Sequence, residues 1–117
     1  MSKQQMDFLG KSLEDIGLDT TGSFNTFRNG GKWSSLKPND VLNLSFKGNL
    51  FGRARVLSVH QGNLSTMLAH HARHNHRVLD APFKDRPGVL KSLLKKMYGE
   101  DFDEDSCTVV YLERKFD

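Results

Sequence analysis

The stretch Val41-Leu42-Asn43-Leu44-Ser45-Phe46-Lys47-Gly48-Asn49, continuing through Phe51-Gly52-Arg53-Ala54-Arg55-Val56-Leu57-Ser58-Val59-His60, decides the fold. Leu42, Leu44 and Phe46 alternate with Asn43 and Ser45, which is the period of a strand with one buried face. Lys47-Gly48-Asn49 is hairpin-like, and a connection that short joins antiparallel strands. In the second run Arg53, Arg55, Leu57 and Val59 are expected on one side, and Ala54, Val56, Ser58 and His60 on the other.

Toward the N-terminus, Ser23 to Arg28 alternates as a further half-buried strand, and Asn29-Gly30-Gly31 turns the chain. Lys32 to Leu36 reads as one helical turn, and Lys37-Pro38-Asn39-Asp40 as a tight turn. Met6, Leu9, Leu13 and Ile16 recur at helical spacing with Gly10 inside, so residues 1–20 are expected to be an N-terminal extension, a short helix or a mobile tail. Toward the C-terminus, Asn63 to His74 is expected to be helical and 75–84 a loop. Asp85 then caps a helix with Pro87 in its first turn, and Leu90, Leu93, Leu94 and Met97 form its apolar stripe. Gly99 ends it, and Cys107 to Leu112 is a last strand. The expectation for residues 21–117 is an α+β domain with a small, mostly antiparallel, barrel-like sheet and flanking helices.

Composition narrows the class. The chain has 117 residues, 37% hydrophobic and 26% charged, enough for one domain with a real core. No stretch approaches the ~20 apolar residues of a membrane-spanning helix. The single cysteine, Cys107, excludes an internal disulfide, and Met1 to Gln5 lacks the apolar run of a secretory signal. A reduced, cytoplasmic setting is expected.

The net charge of +3 is unevenly spread: residues 28–77 carry +7, and the segments on either side −2 each. All five histidines also fall in that middle segment, a candidate surface for a polyanion. Arg53 and Arg55 share one strand face, with Arg28 on a strand expected nearby, and guanidinium groups grip phosphate through paired hydrogen bonds. Lys32 and Trp33 add charge and a stacking surface of the kind single-stranded nucleic acid uses, although Trp33 beside Leu36 also suits the core. Arg53 and Arg55 could equally pair with the acidic stretch 100–105. His70, His71 and His74 lie at helical spacings that would let two rings share a metal, with Cys107 and Asp80 as the obvious further ligands. A zinc site wants three or four ligands, so neither metal nor cofactor is expected.

Three segments together resemble the ASCH domain of the PUA-like superfamily: Thr26-Phe27-Arg28 with Trp33 and Leu36-Lys37-Pro38-Asn39-Asp40-Val41, then Gly52-Arg53-Ala54-Arg55-Val56, then His71-Ala72-Arg73-His74-Asn75-His76. The ending, Lys96-Met97-Tyr98-Gly99, an acidic loop and Thr108-Val109-Val110-Tyr111-Leu112, fits as well, so the likeness spans about residues 22–114. It is greatest to small uncharacterised bacterial and phage proteins. The resemblance implies a small β-barrel with flanking helices and a cleft beside it, lined by Thr26, Arg28 and Asn75 with His71 at its rim. Some ASCH proteins deacetylate a modified cytidine with a lysine, a threonine and a glutamate. Here Thr26 matches the threonine, but Ser23 stands for the lysine and Asn75 for the glutamate. Neither can activate a hydroxyl nucleophile, so no catalytic residue is expected.

The resulting expectation is a non-enzymatic module that binds nucleic acid, RNA above all. Its contacts would be Thr26, Arg28, Lys32, Trp33, Arg53, Arg55, His71 and Asn75. The alternatives are a protein-interaction module, such as a phage-encoded modulator of a host protein, and an amidohydrolase with a rearranged site around Thr26 and His71.

Overall fold

The computed structural model describes residues 4–10, 12–13, 17–18, 22–99 and 102–115. In chain order they form β1 (Gln5–Phe8), β2 (Gly22–Asn29), β3 (Val41–Phe46), β4 (Asn49–Gly62), α1 (Leu64–His71), α2 (Arg86–Tyr98) and β5 (Cys107–Lys115). The strands make one mixed sheet in the order β1-β3-β4-β5-β2, parallel only between β1 and β3. The sheet curls into a half-barrel with the two helices against it, an α+β fold.

The β3–β4 hairpin forms as its alternation requires. Lys47 and Gly48 occupy the turn with φ of 50° and 85°, the left-handed pair whose twist matches the flanking strands. One expectation on β4 fails. The pairing with β5 slips between Val56 and Ser58, leaving Leu57 as an extra residue in the ladder. Beyond it the faces exchange: Val59 joins Ala54 and Val56 against the inner core, and His60 turns toward α1.

The helical spacing at Met6 is also overridden. Gln5–Phe8 is a strand that adds to the edge of β3, with Asn43 N–H donating to the Gln4 carbonyl and Lys47 N–H to the Phe8 carbonyl. Strand geometry sends Met6 and Phe8 to the same side, where both are fully buried, and leaves Leu9 exposed. Burying two such side chains is worth roughly 1.5–3 kcal/mol each, more than a four-residue helical preference offers. Ile16 lies outside the described residues.

Residue parity sorts the apolar side chains into two cores. Phe24, Val110 and Leu112 point to the concave face with Phe8, Leu42, Leu44, Ala54 and Val56. Phe27, Cys107 and Val109 point outward to Leu64, Leu68, Leu90 and Leu94 of the helices. Asn63 caps α1 by accepting from Thr66 N–H at 2.8 Å. α1 ends at His71 and the chain tightens into a 3₁₀ turn over Ala72–His74, so helical backbone runs to the expected end with its last turn tightened. Asp85 stands at the start of α2, yet its side chain makes no capping bond. The expected helical turn at Lys32 is a pair of turns closed by Ser34 N–H on the Gly31 carbonyl and Leu36 N–H on the Trp33 carbonyl.

Candidate functional site

Among the described residues, β1 and β2 do not pair with each other to close the half-barrel. β1 and β2 are its two edges, and residues 75–77 are wedged between them. The His76 ring, buried, meets Phe8 and Phe24 edge-on at 5.3 and 5.6 Å. Asn75 makes a single parallel bridge to Asn25 and donates from Nδ2 to its carbonyl at 3.2 Å. Asn75 Oδ1 in turn accepts from Arg77 N–H at 2.9 Å. Carbonyls in β1 and just beyond it are taken by guanidinium groups instead: Arg28 Nη1 donates to that of Asp7 and Arg77 Nη2 to that of Leu9, each at 2.9 Å. Arg86 holds the wedge from behind, donating to the carbonyls of Arg73, Leu79 and Ala81 at 2.7–3.0 Å.

Beyond the wedge the gap widens into a cleft of about 470 Å³. Its polar side carries Asp7 of β1, Thr26 and Arg28 of β2, and Asn75 and Arg77 of the wedge. Its apolar side is Leu9, Phe27 and the α2 residues Leu90, Leu94, Met97 and Tyr98. A cavity of this size, mostly apolar with a few convergent polar groups, is the usual form of a small-ligand site.

Charge in the cleft is unbalanced. Arg28 keeps part of its surface exposed, but its guanidinium is withdrawn from bulk water over the Phe8 ring, 4.6 Å from the ring centre. Burial pulls its pKa down to about 10; nearby Arg77 pushes the same way, while Tyr98 and Asp7 oppose it. Burial also lowers Arg77. Both stay cationic at neutral pH. The Asp7 carboxyl is held below its ordinary range chiefly by the Ser45 hydroxyl, which donates at 2.6 Å, and also by Gly48 N–H and the Arg28 charge. Two cations thus face one carboxylate whose Oδ1 already accepts two hydrogen bonds, so the cleft favours an anion. Arg28 Nε also donates to Thr26 Oγ1 at 3.2 Å.

Of the residues read from the sequence, Thr26, Arg28 and Asn75 meet on this cleft. The others do not reach it. His71 faces the opposite side of the seam, where its ring stacks on His60 at 4.5 Å and Nδ1 lies 2.8 Å from the Tyr111 hydroxyl. Burial and the neighbouring His60, His70 and His74 lower its pKa. Lys32 and Trp33 line a separate, shallower depression with Gln4 and Gln5, and Trp33 leans half-buried on the inner core. Arg53 is exposed on β4, two strands away from β2. Arg55 pairs with Glu113 at 3.2 Å and with Asn39 Oδ1 at 3.0 Å; Glu100 and Asp101 of the acidic stretch lie outside the described residues.

Arg77, Asp7, Met97 and Tyr98 complete the cleft and were not read as site residues. Arg77 had a signal, lying two residues after Asn75 in the basic segment. Met97 read as core because it continues the α2 stripe, yet it is 45% exposed at the cleft. Among the described residues no group of three or more His, Cys, Asp or Glu side chains could hold a metal ion. Buried Cys107 has its thiol pKa pushed up to about 11. No described helix is long and apolar enough to cross a membrane.

No protein-family model and no curated protein matches the sequence. Among solved structures, the chain is similar to the crystal structure of hypothetical protein PH0355, with a TM-score of 0.55 and 14% identity over 97% of this chain and 100% of that one. At that identity the likeness is one of fold, and the curled half-barrel sheet fits a PUA-like fold.

Proposed function

We propose that the protein is a non-enzymatic nucleic-acid-binding module, with single-stranded RNA the favoured ligand, that receives a nucleotide in the cleft between β1, β2 and α2. The observation that carries this reading is the pair of desolvated guanidinium groups, Arg28 and Arg77, beside Thr26 and Asn75 and opposite an apolar wall ending in Tyr98. Guanidinium groups suit phosphate, the amide and hydroxyl suit a base edge, and the wall suits a heterocycle. The resemblance of Thr26-Phe27-Arg28 and of His71 to His76 to ASCH domains supports the same reading. Fold likeness alone would not assign it. A binding role is preferred to hydrolysis because Thr26 Oγ1 is held by a cation, and Ser23 and Asn75 supply no base. The reading assigns no base contact to Lys32, Trp33, Arg53, Arg55 or His71, which lie elsewhere.

Fluorescence anisotropy against single-stranded RNA, single-stranded DNA and duplex DNA at two salt concentrations tests it. Single strands should bind best, with log affinity falling against log salt by roughly 0.7 for each phosphate neutralised. Arg28→Gln should weaken binding at every sequence, whereas Arg53→Ala with Arg55→Ala should change only the salt-dependent part. Undiminished binding by Arg28→Gln would remove the cleft from the interface. Absence of binding to all three ligands at low salt would favour a protein partner instead, recognisable as one retained after nuclease treatment.

A further inference from the structure

We infer that the cleft is a dead end that accepts the phosphomonoester terminus of a nucleic-acid strand, phosphate first, rather than an internal nucleotide of a continuous strand. The inference rests on the nucleic-acid reading and deepens it. Its basis is the shape of the seam. At one end the gap between β1 and β2 is filled: His76 lies between Phe8 and Phe24, and Asn75 is bridged to Asn25. A strand cannot be threaded past that wedge. On the two flanks the cleft is walled by β1 and by α2. A volume of about 470 Å³ suits one nucleotide and little more.

Charge lines the gap from its depth to its rim. The Arg28 guanidinium reaches in to bond the Asp7 carbonyl, and that of Arg77 bonds the carbonyl of Leu9, which with Met97 borders solvent at 58% and 45% exposure. An internal phosphodiester carries one negative charge and is flanked by sugars on both sides. A terminal phosphomonoester carries about −1.5 to −2 near neutral pH and can enter alone. Arg28 and Arg77 against Asp7 leave one net positive charge, which attracts either group; what selects the second is that it can enter a gap closed at one end alone. The base and sugar would then lie against Leu90, Met97 and Tyr98.

Calorimetric titration with unlabelled single strands of ~8 nucleotides, identical in sequence and bearing a 5′-phosphate, a 3′-phosphate or neither, tests the inference. One phosphorylated strand should bind at least about tenfold tighter than the unphosphorylated one, and which of the two does so identifies the end. Nucleoside monophosphates should compete and nucleosides should not. Arg77→Gln should abolish the difference. Because that change also touches the seam, Met97→Glu, which sets a carboxylate at the exposed rim, should abolish it with an unchanged urea midpoint. Equal affinities for all three strands would overturn end recognition and leave the nucleic-acid reading standing. No binding of any strand would overturn both. A phosphate preference that survives both substitutions would place the phosphate outside this cleft and overturn the inference.

Discussion

Arg28 and Phe8 sit on opposite edges of the sheet, and the guanidinium of one lies 4.6 Å above the ring of the other while donating to the neighbouring Asp7 carbonyl. A side-chain contact therefore does at this seam what backbone pairing does in a closed barrel. The consequence is a gap that is held at fixed width yet left open to a ligand.

Arg28→Ala should destabilise the fold by about 1.5–3 kcal/mol, the range for a hydrogen bond from a charged donor with its acceptor left behind. The midpoint of urea unfolding measures it. A change within about 0.5 kcal/mol, as for ordinary surface positions, would mean that the seam does not depend on this contact.

Arg86 is the second structural arginine. Arg86→Lys should cost about 1–3 kcal/mol, because an ammonium cannot reach three carbonyls in one plane. Amide hydrogen exchange at His76 and Arg77 should accelerate more than exchange in β3 or β4. Uniform acceleration would instead indicate general loosening.

Gly17 has φ of +74°, and a Cβ there would lie 2.2 Å from the His76 carbonyl oxygen. Gly17→Ala should thus destabilise by about 1–3 kcal/mol through left-handed strain alone, with the clash in addition. Gly30, also at positive φ but with open space around the added carbon, should cost less when changed to alanine. Paired thermal unfolding of the two variants compares them.

The His71 site gives the fold a pH dependence. Its folded-state pKa lies below the ordinary histidine value of 6.5, first because of burial and then because of His60, His70 and His74. The unfolded chain binds the proton more readily, so stability should be full above about pH 7 and fall as the pH drops through 6.5 toward the folded-state value. Asp7, with its pKa lowered from 3.8, loses its contribution only at far more acidic pH. Unfolding at pH 7.5 and pH 5.5 should show the loss, and His71→Gln should flatten it. A flat profile in the parent protein would show that His71 is not withdrawn from protonation.

Much of this was legible in the residues. The alternation of Val41 to Phe46 yielded a strand with those bounds, and the Leu90, Leu94 stripe yielded a helix with that buried face. Thr26 and Arg28, two residues apart on a strand, had to share a side, and they do. Asn75 came to them only through the likeness of the His71 to His76 segment to ASCH domains. The misses have physical causes. Gln5–Phe8 is too short to carry a periodicity of its own, and its conformation is imposed by the free edge of β3. The slip at Leu57 is a property of two paired strands, and neither strand alone contains it.

Sequence by itself determined the parts whose forces are local: the β3–β4 hairpin, the helical character of α1 and α2, and the parity of β2, β3 and β5. These follow from side-chain period and turn chemistry within a few residues. Only the tertiary structure decided which parts meet. Arg77 and Leu9 are 68 residues apart along the chain, and Arg28 and Asp7 are 21 apart. Their contacts arise because a curled sheet brings its first and last edges together, and curvature accumulates over all the strands at once. The cleft is the gap that this curvature leaves, so no single segment could have announced it.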